Sequence, residues 1–333
     1  MPASSRIAGL GVHLPDALRT TVQTERELRS RNPHLRLATG LIARMTGVVN
    51  VHVRPEDWNA SDLAVAAARE ALDASPGPID LVLFASASQD LVEPATSHIV
   101  SAKLGLTAPV MDVKNACNSV INAMQVADAL IRAGQYRRVL IASGEAPTVA
   151  VRWELRDHEQ FISSFPGYTM SDGGAALVLE ASDADTGIRH SRFFAESRHW
   201  QIGTLPGGGT MHPHDPDAGY FDMDGRGLQQ AFLELGPGPV LDLLAEHGLS
   251  WTDFDLVAIH QVALPYLPPI FDRLGVADDK TVITIADHGN LASVTLPLQL
   301  KLARERGMVG PGSRVLMIGL AGGISLGLMV VKL

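Results

Sequence analysis

Short continuous apolar runs alternate along the chain with longer segments whose apolar residues recur every third or fourth position. In the first half, "ASDLAVAAAREALDA", "ATSHIVSAKLGL" and a segment carrying Val120, Ile121, Met124, Ala127, Leu130 and Ile131 predict helices. Between and after them, "IDLVLFASA", "PVMDVK", "RRVLIASG" and "GGAALVLEA" predict strands. Strands that are mostly apolar and separated by helices imply an α/β fold with a largely parallel sheet covered on both faces.

The pattern returns later in the chain. "PIDLVLFASAS" is echoed by "DFDLVAIHQVA", "AKLGLTAPVMDVKNACNS" by "DRLGVADDKTVITIADHGNLAS", and "YRRVLIASGE" by "GSRVLMIGLAGG". The offsets are 175 residues from Asp80 to Asp255, 173 from Cys117 to Asn290 and 176 from Arg138 to Arg314. Long-range self-similarity in constant order indicates two similar halves, 1–181 and 182–333, related by a pseudo-dyad. Matching positions then converge on the axis. Cys117 ends a strand of the first half, His260 follows the matching strand of the second, and Asn290 occupies the place equivalent to Cys117, so the three meet in one pocket.

Cys117 is the only cysteine of 333 residues. Its place at the seam of a strand and a helix puts it at a helix start, where free N–H groups and the helix dipole favour a thiolate and lower its pKa. Asn115 is positioned to cap that helix.

Composition narrows the class. Hydrophobic residues at 46% and charged residues at 19% describe a compact globule, and a net charge of −9 without a basic run excludes nucleic acid as a partner. "MPASSRIAGLGVHLP" lacks the charged start and long apolar core of a signal peptide, and no apolar stretch is long enough to span a membrane. A single cysteine allows no internal disulfide and fits the cytoplasm. "HPHDPD" at 212–217 reads as an exposed loop, not a metal site.

The motifs "RIAGLGVHLP", "ACNS", "SDGGAALVLE", "HQVALPYL", "HGNLASVTLPL" and "GLAGGISLGLMVVKL" resemble the thiolase-fold condensing enzymes, and among them the β-ketoacyl-acyl-carrier-protein synthase III group. The resemblance spans essentially the whole chain. It implies a five-layered α/β/α/β/α fold and, with the open sheet edge such strands leave, a homodimer. It also implies Cys117 as the nucleophile acylated from a thioester, and His260 and Asn290 as the groups that assist decarboxylation of a malonyl thioester. The N–H groups of Cys117 and Gly322 would form the oxyanion hole. The resemblance further implies no permanently bound cofactor, and coenzyme A or phosphopantetheine thioesters, the latter on an acyl-carrier protein, as substrates. Thioester exchange suits a soft thiolate, and the enolate formed on decarboxylation needs neutral donors such as imidazole and amide.

The chain departs from the group's pattern in places. Ser119 and Val120 stand where a glycine and a phenylalanine usually lie, and Val262 to Pro265 replace the usual Ala-Asn-Leu-Arg after the histidine and glutamine. Leu41 replaces a tryptophan that stacks on the adenine of coenzyme A, with Arg44 nearby. Trp153 and Tyr168 fall where the group places part of its substrate channel, and "MDG" at 223–225 leads into a helix. Two readings stand beside the decarboxylating synthase: an acyltransferase or non-decarboxylative Claisen enzyme of secondary metabolism, and a silent partner subunit.

Overall fold

The structure, a computed structural model, describes residues 4–183 and 185–333. The strands that build the two main sheets are β1 (Ser4–His13), β2 (Leu81–Ala85), β3 (Val110–Val113), β4 (Arg138–Glu145), β5 (Gly173–Ser182), β6 (Gly187–Ala195), β7 (Leu256–Ile259), β8 (Arg314–Ala321) and β9 (Ser325–Lys332). The helices that cover them are α1 (Ala60–Ala74), α2 (Thr96–Leu104), α3 (Ser119–Arg132), α4 (Gly225–Leu235), α5 (Gly238–Glu246), α6 (Leu267–Leu274) and α7 (Thr295–Glu305).

The first sheet runs β1-β5-β4-β2-β3 and the second β6-β9-β8-β7. Strand parity divides their side chains. Leu81 and Leu83 of β2, with Val139 and Ile141 of β4, point inward to α3 and α7, where they meet Val315 and Met317 of β8. Val82, Phe84, Leu140 and Ala142 point outward to α1 and α2. Leu316 and Ile318 of β8 point outward to α5 and α6 on the opposite flank. The result is the five-layered α/β/α/β/α thiolase-type fold.

The sheets are mixed, where a largely parallel arrangement was expected. β2 is parallel to both β3 and β4, but β5 is antiparallel to β4 and β1. The second sheet repeats this, with β7 parallel to β8 and β9 antiparallel to β8 and β6. The turn between Ala321 and Ser325 is too short for a crossover, so β9 has to return antiparallel. The second sheet also lacks a counterpart of β3. Residues 281–284 take that place without forming a strand, held by side chains: Gln261 Nε2 donates to Val282 O (2.8 Å), and its Oε1 accepts from Thr284 N–H (2.9 Å).

Candidate active site

Cys117 sits in the turn between β3 and α3. Ala116 before it has φ 45°, a left-handed geometry that lifts the next residue out of the strand path. The helix begins at Ser119 with Asn118 at its N-cap. The Asn118 side chain does not cap its own helix; its Nδ2 donates to Ser325 O (3.2 Å) and Oγ (2.9 Å), tying the cysteine turn to β9 of the second half. Asn115, expected as the cap, instead donates through Nδ2 to Asn122 Oδ1 (2.8 Å).

The expected lowering of the thiol pKa is not met. Burial pushes Cys117 up to about 12, with the carboxyl of Glu145 adding to the shift and the residue's own N–H opposing it. Asn118 separates Cys117 from the first helical residue, Ser119, and desolvation of the sulfur outweighs what the helix start offers. The thiol is therefore neutral at rest.

His260 follows β7 directly, its N–H continuing the ladder to Ile318 O (2.9 Å). The residue is 4% exposed, and neither Nδ1 nor Nε2 has a hydrogen-bond partner among the described residues. Burial lowers its pKa to about 4, so the imidazole is neutral. Asn290 is fixed by its backbone, donating to Thr169 O (2.8 Å) and accepting from Ser171 N–H (2.9 Å). Its Oδ1 accepts from Ala292 N–H (3.0 Å), which leaves the Nδ2 amide as the group it can offer a ligand. Gly322 lies in the turn between β8 and β9. Cys117, His260, Asn290 and Gly322 all line one cavity of about 1310 Å³.

Asn290 is not the positional equivalent of Cys117. Ala292, at φ 48°, repeats the strained turn of Ala116, and α7 starts at Thr295 as α3 starts at Ser119. The repeat therefore runs at an offset of 176 here, and Ser293 is the match of Cys117. Ser293 is fully buried, its Oγ donating to Glu145 Oε1 (2.5 Å) and lying 2.9 Å from Ser143 Oγ.

Glu145 was not anticipated from the sequence. It ends β4 on the cavity wall, accepts from Ala87 N–H (3.1 Å) and Ser88 Oγ (3.2 Å), and burial pushes its carboxyl up against these hydrogen bonds. The available signal was a carboxylate closing an otherwise apolar strand. Among the other positions singled out, Leu41 lines the cavity, whereas Trp153 and Tyr168 pack together in a small core beside it. Asp224 caps α4 through Arg226 and Gly227 N–H. The 212–217 loop is exposed, with His212 and Asp215 on the cavity's lining.

Residues 111–197 match the family described as 3-oxoacyl-(acyl-carrier-protein) synthase III, and residues 244–333 match its C-terminal part. The beta-ketoacyl-(acyl-carrier-protein) synthase III of Dinoroseobacter shibae is 30% identical over 98% of both chains. The chain belongs to this family. It is a synthase III-type acyltransferase. A Neisseria meningitidis relative of the same name is also 30% identical, over 98% of this chain and 99% of its own. Solved structures share the fold: the Aquifex aeolicus synthase III at TM-score 0.85 and 24% identity covers 99% of this chain and all of its own. The cerulenin-bound OleA of Xanthomonas campestris, at TM-score 0.90 and 24% identity, covers all of this chain and 98% of its own.

Proposed function

We propose that Cys117, His260, Asn290 and the N–H groups of Cys117 and Gly322 carry out a two-step condensation in this cavity. In the first step the thiol proton passes to His260 and the sulfur attacks the carbonyl of an acyl thioester. The two N–H groups hold the tetrahedral oxyanion, and the departing thiolate takes the proton back. In the second step a malonyl thioester loses carbon dioxide. The nascent enolate oxygen accepts from His260 and Asn290 Nδ2, its carbon attacks the acyl-cysteine, and the Cys117 thiolate leaves and is reprotonated.

The observation that carries this reading is the buried imidazole with both nitrogens unpartnered among the described residues. An unsatisfied buried polar group costs stability, so the arrangement makes sense if a ligand completes it. With both nitrogens free, one is available to accept the thiol proton while the other keeps its N–H for the enolate.

The acyl donor is a coenzyme A or carrier-protein thioester and the extender a malonyl thioester, with no resident cofactor. The working form is a homodimer through β3, the edge strand of the first sheet, whose Met111 and Asp112 are exposed. The halves divide as 1–181 and 182–333. No helix among the described residues is long and apolar enough to cross a membrane, and a cytoplasmic site of action suits the lone thiol. Intact-protein mass spectrometry after incubation with acyl thioesters, with carbon dioxide counted after malonyl thioester is added, tests the reading. Acylation at Cys117 followed by gas release supports it. Acylation without release moves the chain to the acyltransferase or non-decarboxylative reading.

A further inference from the structure

We propose that the acyl group carried by Cys117 is a long, unbranched chain housed in a tunnel between the outer face of the second sheet and the layer of α4, α5 and α6. This rests on the reading of Cys117 as the acylated residue.

The cavity has two kinds of wall. Around its mouth the lining residues are exposed, among them Met45, Val149, Ile162 and Val262. Deeper in, Val240, Ile259, Leu267, Ile318 and Leu326 also line it, yet each is at most 3% exposed. Residues that belong to the second half's outer core and also face open space mean that the cavity enters that core.

Strand parity gives the direction. Ile259 directly precedes His260, and Leu320 lies two positions before Gly322. Ile259, Ile318 and Leu320 point to the outer face of the second sheet, so the tunnel starts at the catalytic residues and runs beneath the helices.

The roof explains the space. α4 ends at Leu235 and α5 begins at Gly238, the chain turning between them at Gly236, with φ 66°, and Pro237. Phe232, Leu233 and Leu235 before the turn and Val240 after it line the cavity. Arg273 of α6 closes the layer by donating from Nη1 to Leu233 O (3.3 Å). A slot between a sheet and one helix layer, walled by aliphatic side chains, accepts an extended hydrocarbon and offers little to a polar or branched group. At about 1310 Å³ the whole cavity exceeds the roughly 300–1,000 Å³ typical of sites for drug-sized ligands, leaving room for an alkyl chain beyond a pantetheine arm at the mouth.

The test is the rate of Cys117 acylation, read by intact-protein mass spectrometry, with acetyl, butyryl, octanoyl and lauroyl coenzyme A below saturation. The second-order rate constant is expected to rise by up to about fourfold per methylene, the gain from moving one CH₂ out of water, and to level off where the tunnel ends. Leu233→Trp, which plugs the slot from a half-buried helix position, is expected to lower the lauroyl-to-acetyl ratio by about tenfold or more. Ile270→Trp on α6 is the second plug should the first fail to fold by circular dichroism. A flat or falling series with acetyl loading intact would overturn the tunnel and leave the condensing reading standing. Failure of every thioester to load Cys117 overturns the condensing reading and, with it, this one.

Discussion

The two halves place equivalent strands under helices that sit at different heights. In the first half Ala142 and Gly144 of β4 pair with Ala176 and Gly174 of β5, so the face beneath α1 is almost bare at these four positions. α1 answers with Ala60, Ala64, Ala67, Ala68 and Ala71, all buried, and lies directly on the sheet. A Cβ at Gly144 would stand 1.8 Å from Ala60 O, and one at Gly174 2.0 Å from Leu63 O. In the second half the matching strand positions hold Ile318 and Leu320, paired with Leu328 and Leu326. The covering helix α5 packs through Val240, Leu243 and Leu244. Small residues on both partners make a solid layer; large ones on both hold the helix off and leave a cavity. One half supports the cysteine turn, and the other is hollowed beside it.

The largest effect expected from this contrast is on stability. Gly144→Val has nowhere to put its side chain without moving the backbone of α1, and should cost more than about 4 kcal/mol or abolish soluble expression. Leu320→Ala, at the corresponding place of the second half, only enlarges an existing space and should cost about 2 kcal/mol. Thermal and urea unfolding of the two variants would show equal losses if the halves were packed alike.

The proposed mechanism divides the chemistry as well. On that reading acylation needs the Cys117 thiol with His260 as its base, whereas decarboxylation needs the Asn290 amide in addition. Asn290→Ala should keep most of the acyl-enzyme signal and lose condensation by about 10²- to 10³-fold, the scale for one oxyanion donor. Equal loss of both half-reactions in single-turnover assays would remove that division of labour.

With Cys117 pushed up to about 12 and His260 down to about 4, pH separates them as well. A raised thiol pKa means that the thiolate fraction keeps growing with pH. Iodoacetamide labelling should therefore rise by about tenfold per unit from neutral pH to about pH 10 without a plateau. A plateau near neutrality would reveal an activated thiolate at rest. A histidine with a depressed pKa stays neutral well below pH 6, so its protonation should not limit condensation on the acid side until about pH 5.

Much of this was legible in the chain. The Ala-rich segment from 60 to 74 is α1 to the residue, and Cys117, His260, Asn290 and Gly322 lie on one cavity. What escaped depends on contacts between distant residues. An apolar run states that both faces of a strand are buried but not which way the strand points, so the antiparallel β5 and β9 were missed. The offset of 173 at Asn290 stood apart from the 175 and 176 of its neighbours because it paired the wrong residue, and only the turns at Ala116 and Ala292 correct it. The thiol's pKa depends on desolvation and on Glu145, which is adjacent only in space. The tunnel is a gap among α4, α5, α6 and the second sheet, and no residue pattern by itself marks a gap.

Ser293 offers the finest test of the comparison. It matches Cys117 in the repeat, but its Oγ is occupied by Glu145 and Ser143, and it is 1% exposed. The position is structural, whereas its counterpart is the proposed nucleophile. Ser293→Ala removes one donor to a buried carboxyl and should cost about 1–3 kcal/mol in unfolding, with alkylation of Cys117 preserved. Ser293→Cys gives the chain a second thiol at the equivalent turn, and brief iodoacetamide treatment should still add one label per chain. The buried sulfur would inherit the carboxyl neighbour without the opening onto the cavity that Cys117 has. Two labels at comparable rates would mean that both turns are accessible, and that the difference between the halves lies in the residue each carries and not in the packing around it.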